Sequence, residues 1–231
     1  MPSRRPPMLR TPRGIRRFQR AILDWHRENR REFPWRRTRE PYEVLVAEML
    51  LQQTDAAKVL GVYERFLEQF PSLRELAAAS PDELSCPLGA IGLFYRAGRL
   101  SRIARRILDE HGGIVPASEE ALVRLPGIGR YIARSICAAA FGQKKGVLDT
   151  NVIRILDRCF GVTPKRRRAR EDRDLWDLVD RLVPPSTMAE PAEWNWALLD
   201  FAAVRCTYHN PQCSSCDLST AGCRKGGSSS A

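Results

Sequence analysis

The chain has 231 residues, with 38 Lys and Arg against 27 Asp and Glu and a formal net charge of +11. That length buries one large core or two small lobes, and the charge calls for a polyanionic partner. No apolar run nears the roughly 20 residues of a spanning helix, and the Arg- and Pro-rich start lacks the apolar core of a secretory signal; nucleic acid is therefore expected rather than membrane, in the cytoplasm or on the nucleoid.

Met1 to Arg13 carry four arginines and four prolines, so residues 1–14 read as a loose basic tail that either adds phosphate contacts or is simply solvated. Ile15, Phe18, Ala21, Ile22 and Trp25 then recur at helical spacing and predict a first helix over Ile15 to Asn29. After Phe33-Pro34-Trp35-Arg36, a second helix starts at Pro41-Tyr42 and runs through Val44, Leu45, Val46, Met49, Leu50 and Leu51. It is too apolar for a surface helix, so Glu48 within it must be desolvated or face a cavity, a costly place for an idle carboxylate. Gln52-Gln53-Thr54 marks where the helix meets solvent or a partner.

Further helices are expected at Ala56 to Gln69, Leu73 to Ala79, Pro81 to Leu88, Arg96 to His111, Ala121 to Leu125, Tyr131 to Ala140, Val152 to Phe160, Asp172 to Leu182 and Ala192 to Arg205. No stretch alternates as a strand would. The fold class is therefore all-α, a packed set of about ten short helices. The Gly92-Leu93-Phe94-Tyr95-Arg96 joint sets bulky rings beside arginines, either to wedge between base pairs or to tuck onto the core. Lys165 to Arg168 reads as a basic loop, solvated or on phosphate, and Gly226 to Ala231 as a floppy end.

The strongest local signal is Leu125-Pro126-Gly127-Ile128-Gly129-Arg130-Tyr131. A proline and two glycines two apart, between one helix and the start of the next, make a tight hairpin that bares backbone N–H groups. Such amides suit a phosphate oxygen, so Gly127, Gly129 and Arg130 are candidates for gripping a nucleic-acid backbone without reading its sequence. Downstream, Asp149 falls at or near a helix N-cap, which alone would explain an aspartate there.

Cys206, Cys213, Cys216 and Cys223 are separated by gaps of six, two and six residues. Four thiolates bunched in this way suit a metal centre in a reducing compartment, and the spacing admits either zinc or [4Fe-4S]. Cys86, Cys137 and Cys159 lie singly in apolar helical contexts and read as buried free thiols. Burial should raise the pKa of Glu48 while the helix dipole favours ionised Asp149. Two carboxyls pushed apart can divide acid chemistry from stabilisation of a cation, as cleavage at an anomeric carbon requires.

Taken together and in their order along the chain, the Glu48-Met49-Leu50-Leu51-Gln52-Gln53-Thr54 run, the LPGIGRY hairpin, Leu148-Asp149-Thr150-Asn151 and the four-cysteine loop resemble the endonuclease III superfamily of DNA glycosylases, over roughly residues 15 to 224. The resemblance implies two lobes, residues 15–38 with 145–224 carrying a [4Fe-4S] loop and residues 39–144 forming a six-helix barrel, with a tail at 225–231. It also implies a monomer that holds damaged or mismatched duplex DNA at the cleft between lobes. The last cysteine gap departs from the family's usual five residues by one. Bifunctional members carry a lysine where this chain has Tyr131, so base removal by water with little strand cleavage is implied.

Two branches without that lysine fit. Glu48 followed by Leu-Gln-Gln-Thr resembles adenine glycosylases acting opposite guanine or 8-oxoguanine. Trp35 to Tyr42, Tyr131, Ala140-Phe141-Gly142, Leu182-Val183-Pro184 and Leu199-Asp200-Phe201 resemble thymine and uracil glycosylases acting opposite guanine, and this branch is favoured. The chain ends just after the cysteines, without the further domain of typical adenine enzymes, and Gly92-Leu93-Phe94 departs from their Gly-Tyr-Tyr. The implied roles are proton donation by Glu48, contact with base or water by Glu48 and Tyr131, orientation by Asn151 and stabilisation of the cationic sugar by Asp149. Gln52, Gln53, Leu93 or Phe94 would fill the gap left by the extruded nucleotide. A DNA-binding protein of the same fold without catalysis is the alternative of a different class.

Overall fold

The computed structural model describes residues 11–88, 94–162, 164, 171–220 and 223. Helices and one short 3-10 turn account for all the regular structure among them; none is a strand. The helices are α1 (Pro12–Asn29), α2 (Pro41–Leu51), α3 (Ala56–Gln69), α4 (Leu73–Ala78), α5 (Pro81–Leu88), α6 (Phe94–His111), α7 (Glu119–Leu122), α8 (Arg130–Phe141), α9 (Thr150–Phe160), α10 (Arg173–Leu182), α11 (Pro191–Val204) and α12 (Asp217–Thr220), with the 3-10 turn at Pro34–Arg36. No helix among the described residues is long and apolar enough to cross a membrane.

Two compact units divide the chain, Glu32–Gln143 in one and Met1–Arg31 with Lys144–Ala231 in the other. In the Glu32–Gln143 unit the apolar α2 is the centre, packed against α3, α6 and α8. Val44, Leu45, Val46, Met49 and Leu50 are all sealed from solvent, each contributing about 1.5–3 kcal/mol of transfer free energy. The second unit closes around α1 and α11. Phe18 of α1 meets Phe160 and Trp194 edge to face, with ring centroids 4.8 and 5.9 Å away, and Trp25 meets Phe201 at 5.0 Å. Asp200, buried outright, accepts from the Arg31 backbone N–H at 3.1 Å and from Arg31 Nε at 2.6 Å.

The first helix begins earlier than expected. Thr11 Oγ1 accepts from the Gly14 N–H at 3.1 Å, and Pro12 supplies the preset first-turn φ, so residues 11–14 are a helix start rather than part of a tail. The short α12 was also not expected. The Gly92-Leu93 joint, Lys165 to Arg168, residues 1–10 and the last residues lie outside the described residues, as do the side chains of Cys86 and Phe94. Cys137 and Cys159 are buried free thiols, as expected.

Candidate active site and cysteine pocket

Glu48 sits half-buried on α2, between sealed Ala47 and Met49. Across from it, Ser135 Oγ of α8 donates to Glu48 Oε1 at 2.7 Å. Residues four apart share a helix face, so Glu48 and Gln52, the C-cap residue just past the end of α2, form one row, and Tyr131 and Ser135 form another on α8. The rows are held in register at the far end as well: Gln52 Nε2 donates to the Gly127 carbonyl at 2.9 Å, and Gln52 Oε1 accepts from the Arg99 guanidinium at 3.0 Å. Buried Arg96 fixes the end of α2, donating to the Leu50 carbonyl at 2.5 Å, to Thr54 Oγ1 at 2.7 Å and to the Gln52 carbonyl. A cation there satisfies orphan carbonyls at the negative end of the helix dipole.

Burial pushes the Glu48 carboxyl up to about 7, against the opposing pull of the Ser135 hydrogen bond and the Arg36 charge. It thus keeps its proton in the neutral range, the state a proton donor needs.

The hairpin has the expected form. Gly127 has φ +80°, a left-handed value, and a Cβ built on it would stand 2.3 Å from Arg99 Cδ. Gly129 is the N-cap of α8, and no side chain caps that end. Arg130 does not stand apart as a phosphate ligand: its Nε donates to Glu119 Oε1 at 2.9 Å, and buried Arg134 donates to Glu119 Oε2 at 3.1 Å. Gln52 likewise is committed inward, to Gly127 and Arg99, rather than extended as a wedge. Gln53 is exposed and holds a left-handed φ of 51°, a strained value for a residue with a Cβ. Of the two glutamines, Gln53 is thus the exposed one and Gln52 the one with internal partners.

In the second unit Asp149 is the N-cap of α9, and Oδ1 accepts from the Val152 N–H at 2.7 Å. Asn151 Nδ2 donates to Oδ2, also at 2.7 Å. Asn151 Oδ1 accepts in turn from Arg154 at 3.0 Å, and Arg154 is itself anchored on the Cys206 and Ala202 carbonyls, both at 2.8 Å. The expected lowering of the Asp149 pKa is not what the structure gives: burial outweighs the cap bonds and the Arg154 charge, and the carboxyl is shifted upward. The dipole was visible in the sequence, but the sealing of Val147, Leu148 and Val152 around the cap was not.

Cys206, Cys213, Cys216 and Cys223 line one pocket, together with Cys159, Arg158, Arg205 and Phe201. Arg158 reaches the Cys206 sulfur at 3.6 Å and the Thr207 carbonyl at 2.5 Å. Among the described residues no three His, Cys, Asp or Glu side chains gather closely enough to hold a single metal ion. Ser135 and Arg154 are the site residues missed from sequence. Their signal was the spacing, one helical turn beyond Tyr131 and beyond Asn151.

The model of the HhH-GPD superfamily base excision DNA repair proteins matches residues 46–181. A thymine/uracil-DNA glycosylase from Pyrobaculum aerophilum is 37% identical over 216 residues, covering 92% of this chain and 94% of that protein. The human adenine DNA glycosylase is 35% identical over 220 residues, covering 91% of this chain but 40% of that protein. Among solved structures, a thermostable thymine-DNA glycosylase superposes with a TM-score of 0.85 at 32% identity, covering 92% of this chain and 96% of the other. An endonuclease III caught in a covalent DNA intermediate superposes at 0.78 and 26% identity, covering 94% and 97%. With the hairpin, the all-helical fold and these likenesses in agreement, the chain belongs to the HhH-GPD superfamily of base excision DNA repair proteins.

Proposed function

We propose that this DNA glycosylase hydrolyses the N-glycosidic bond of thymine or uracil mispaired with guanine. The observation that carries the reading is Glu48, a carboxyl inside an apolar helix whose enclosure holds its proton to about pH 7. Such a group is costly to bury and finds its use in giving a proton to a departing base. Likeness to the thymine/uracil glycosylase in sequence and to the thymine-DNA glycosylase in structure supports that base class.

Water supplies the oxygen that bonds to the anomeric carbon. The bond to the base breaks with its electron pair leaving on the base, which takes the Glu48 proton; the attacking water gives up one proton, which restores the Glu48 acid, and the products are the free base and an abasic site. Asp149, with both oxygens held by donors, opposes the positive charge that develops on the sugar. Tyr131 lacks an amine and forms no Schiff base, so strand cleavage is slow. Gly127, Gly129 and the uncapped N-terminus of α8 hold a phosphate, and Gln53 with Leu93 or Phe94 fills the gap in the duplex.

Cys206, Cys213, Cys216 and Cys223 hold a [4Fe-4S] cluster. Four thiols round one pocket can surround a single centre, and membership of the superfamily supports the cluster. When bound, such a cluster would tie Cys206, Cys213, Cys216 and Cys223 together and stiffen the loop between them.

The test is incubation with labelled duplexes carrying T:G, U:G, A:G or A:8-oxoguanine, followed by alkali. Alkali-sensitive sites in the T:G and U:G duplexes are expected. Sites confined to the A-containing duplexes would select the adenine branch, and no new site in any duplex would leave a DNA-binding protein without catalysis.

A further inference from the structure

We propose that Ser135 is a positioning residue for Glu48: by donating to Oε1 it confines the acidic proton to Oε2. The inference rests on the reading of Glu48 as the proton donor. Its own support is geometric. The hydroxyl stands 2.7 Å from Oε1 and not from Oε2, and Ser135 is 7% exposed, so water does not take its place.

The backbone beneath each partner is fixed independently. Arg96 and Gln52 lock the C-terminal end of α2, and Gln52 ties it to the hairpin that starts α8. With both helices held, the single donor decides which carboxyl oxygen stays free. A carboxyl without that donor can hold its proton on either oxygen, and only one of the two faces an incoming base.

The charged groups around this carboxyl leave the choice to Ser135. Arg36, from the 3-10 turn, acts on Glu48 through its charge and favours ionisation of the whole group rather than of one oxygen. From α6, Arg96 and Arg99 donate to oxygens of Leu50, Gln52 and Thr54. From α8, Arg134 pairs with Glu119. The buried face of α3 is Val59, Val62, Tyr63 and Phe66.

Removing the hydroxyl withdraws a hydrogen bond that favours the ionised form, so the proton is held to higher pH while its placement is lost. The experiment pairs single-turnover excision from a T:G duplex across pH with a direct titration of Glu48 by carbon NMR on glutamate-labelled protein, for wild type, Ser135→Ala and Ser135→Thr. In Ser135→Ala the alkaline limb and the NMR titration should both move up by roughly one pH unit, while the low-pH plateau falls about tenfold. Ser135→Thr, which keeps a hydroxyl, should restore both to near the wild-type values. A purely structural serine would lower the rate without moving either titration. An NMR titration of Glu48 that is unchanged in Ser135→Ala overturns the proposal. Full excision by Glu48→Gln overturns instead the proton-donor reading on which it rests, and the NMR titration distinguishes the two failures.

Discussion

Glu48→Gln should make the protein more stable and less active, and the stability gain should depend on pH. A glutamate carboxyl ordinarily titrates near 4.5, and here it is pushed up to about 7 by burial. The folded state therefore binds this proton more tightly than the unfolded chain does. The contribution of Glu48 to stability is fully present below the unfolded pKa and is lost as pH rises through the folded one. Across that window the loss approaches about 3 kcal/mol, an upper value because the side chain is only half-buried. Glutamine has the same shape, carries no proton to lose, and still offers Ser135 an acceptor oxygen.

Urea unfolding should accordingly show the variant gaining on wild type by about 2 kcal/mol more at about pH 8.5 than at about pH 5.5. Excision from a T:G duplex should fall at least about a hundredfold, the usual contribution of a general acid. A gain that is the same at both pH values would refute the enclosure of the carboxyl as the cause. A pH-dependent gain with undiminished excision would leave Glu48 a buried acid outside the chemistry.

Asp149→Asn keeps an oxygen that caps α9 and should change stability by less than about 1 kcal/mol. It should also lower single-turnover excision about a thousandfold, the worth of one anion a few ångströms from the developing cation at intermediate dielectric; retention within tenfold of wild type would contradict the role, as would an equal loss of duplex affinity. Tyr131→Lys should yield a covalent DNA adduct trapped by borohydride, and DNA binding without trapping would mean that geometry as well as the missing amine blocks the Schiff base. Gly127→Ala should destabilise by more than about 2 kcal/mol in urea unfolding, because its φ is +80° and the new Cβ would drive into Arg99. Gly142→Ala is the control: it shares a left-handed φ of +61° but has open space, so it should cost only about 1 kcal/mol.

Most helices could be read directly because their ends are written in residues with local causes. Ala56–Gln69 ends where Phe70-Pro71 breaks it, and the structure adds Asp55, whose side chain caps its start. Pro41 and Pro81 open their helices as first-turn prolines do. The start of α1 escaped notice because Thr11 to Gly14 hold no apolar residue, so periodicity was silent and only a threonine cap marked the turn. A four-residue helix such as α12 has no period to detect.

At the site, Glu48 was legible because a carboxylate amid Val, Leu and Met has few innocent explanations. Ser135 was not, because a serine in an apolar helix ordinarily satisfies itself on its own backbone. Arg96 likewise read only as the end of the Gly92 joint and the start of the next helix, whereas long-range contacts with Leu50 and Thr54 make it the buried stop of α2. Pairings 40 or more residues apart leave no trace in local spacing.

The upward shift of Asp149 does not erase the division of labour between the two carboxyls, because what separates them is the number of donors aimed at each. Glu48 receives one hydroxyl on one oxygen, which leaves the other able to carry a proton. Asp149 receives a backbone amide on one oxygen and a side-chain amide on the other. A proton on either Asp149 oxygen would weaken the hydrogen bond that oxygen accepts, and the Arg154 charge behind Asn151 adds to the penalty. Burial raises both groups, yet hydrogen bonds favour the ionised form on both oxygens of Asp149 and on one of Glu48, which fits the roles proposed for them. Exchanging the donor sets should exchange that behaviour more effectively than changing burial: Asn151→Ala, which frees one oxygen of Asp149 while leaving the cap bond intact, should raise the Asp149 titration seen by carbon NMR and lower excision most on the acid side. An Asp149 titration unmoved by Asn151→Ala would return the explanation to burial alone.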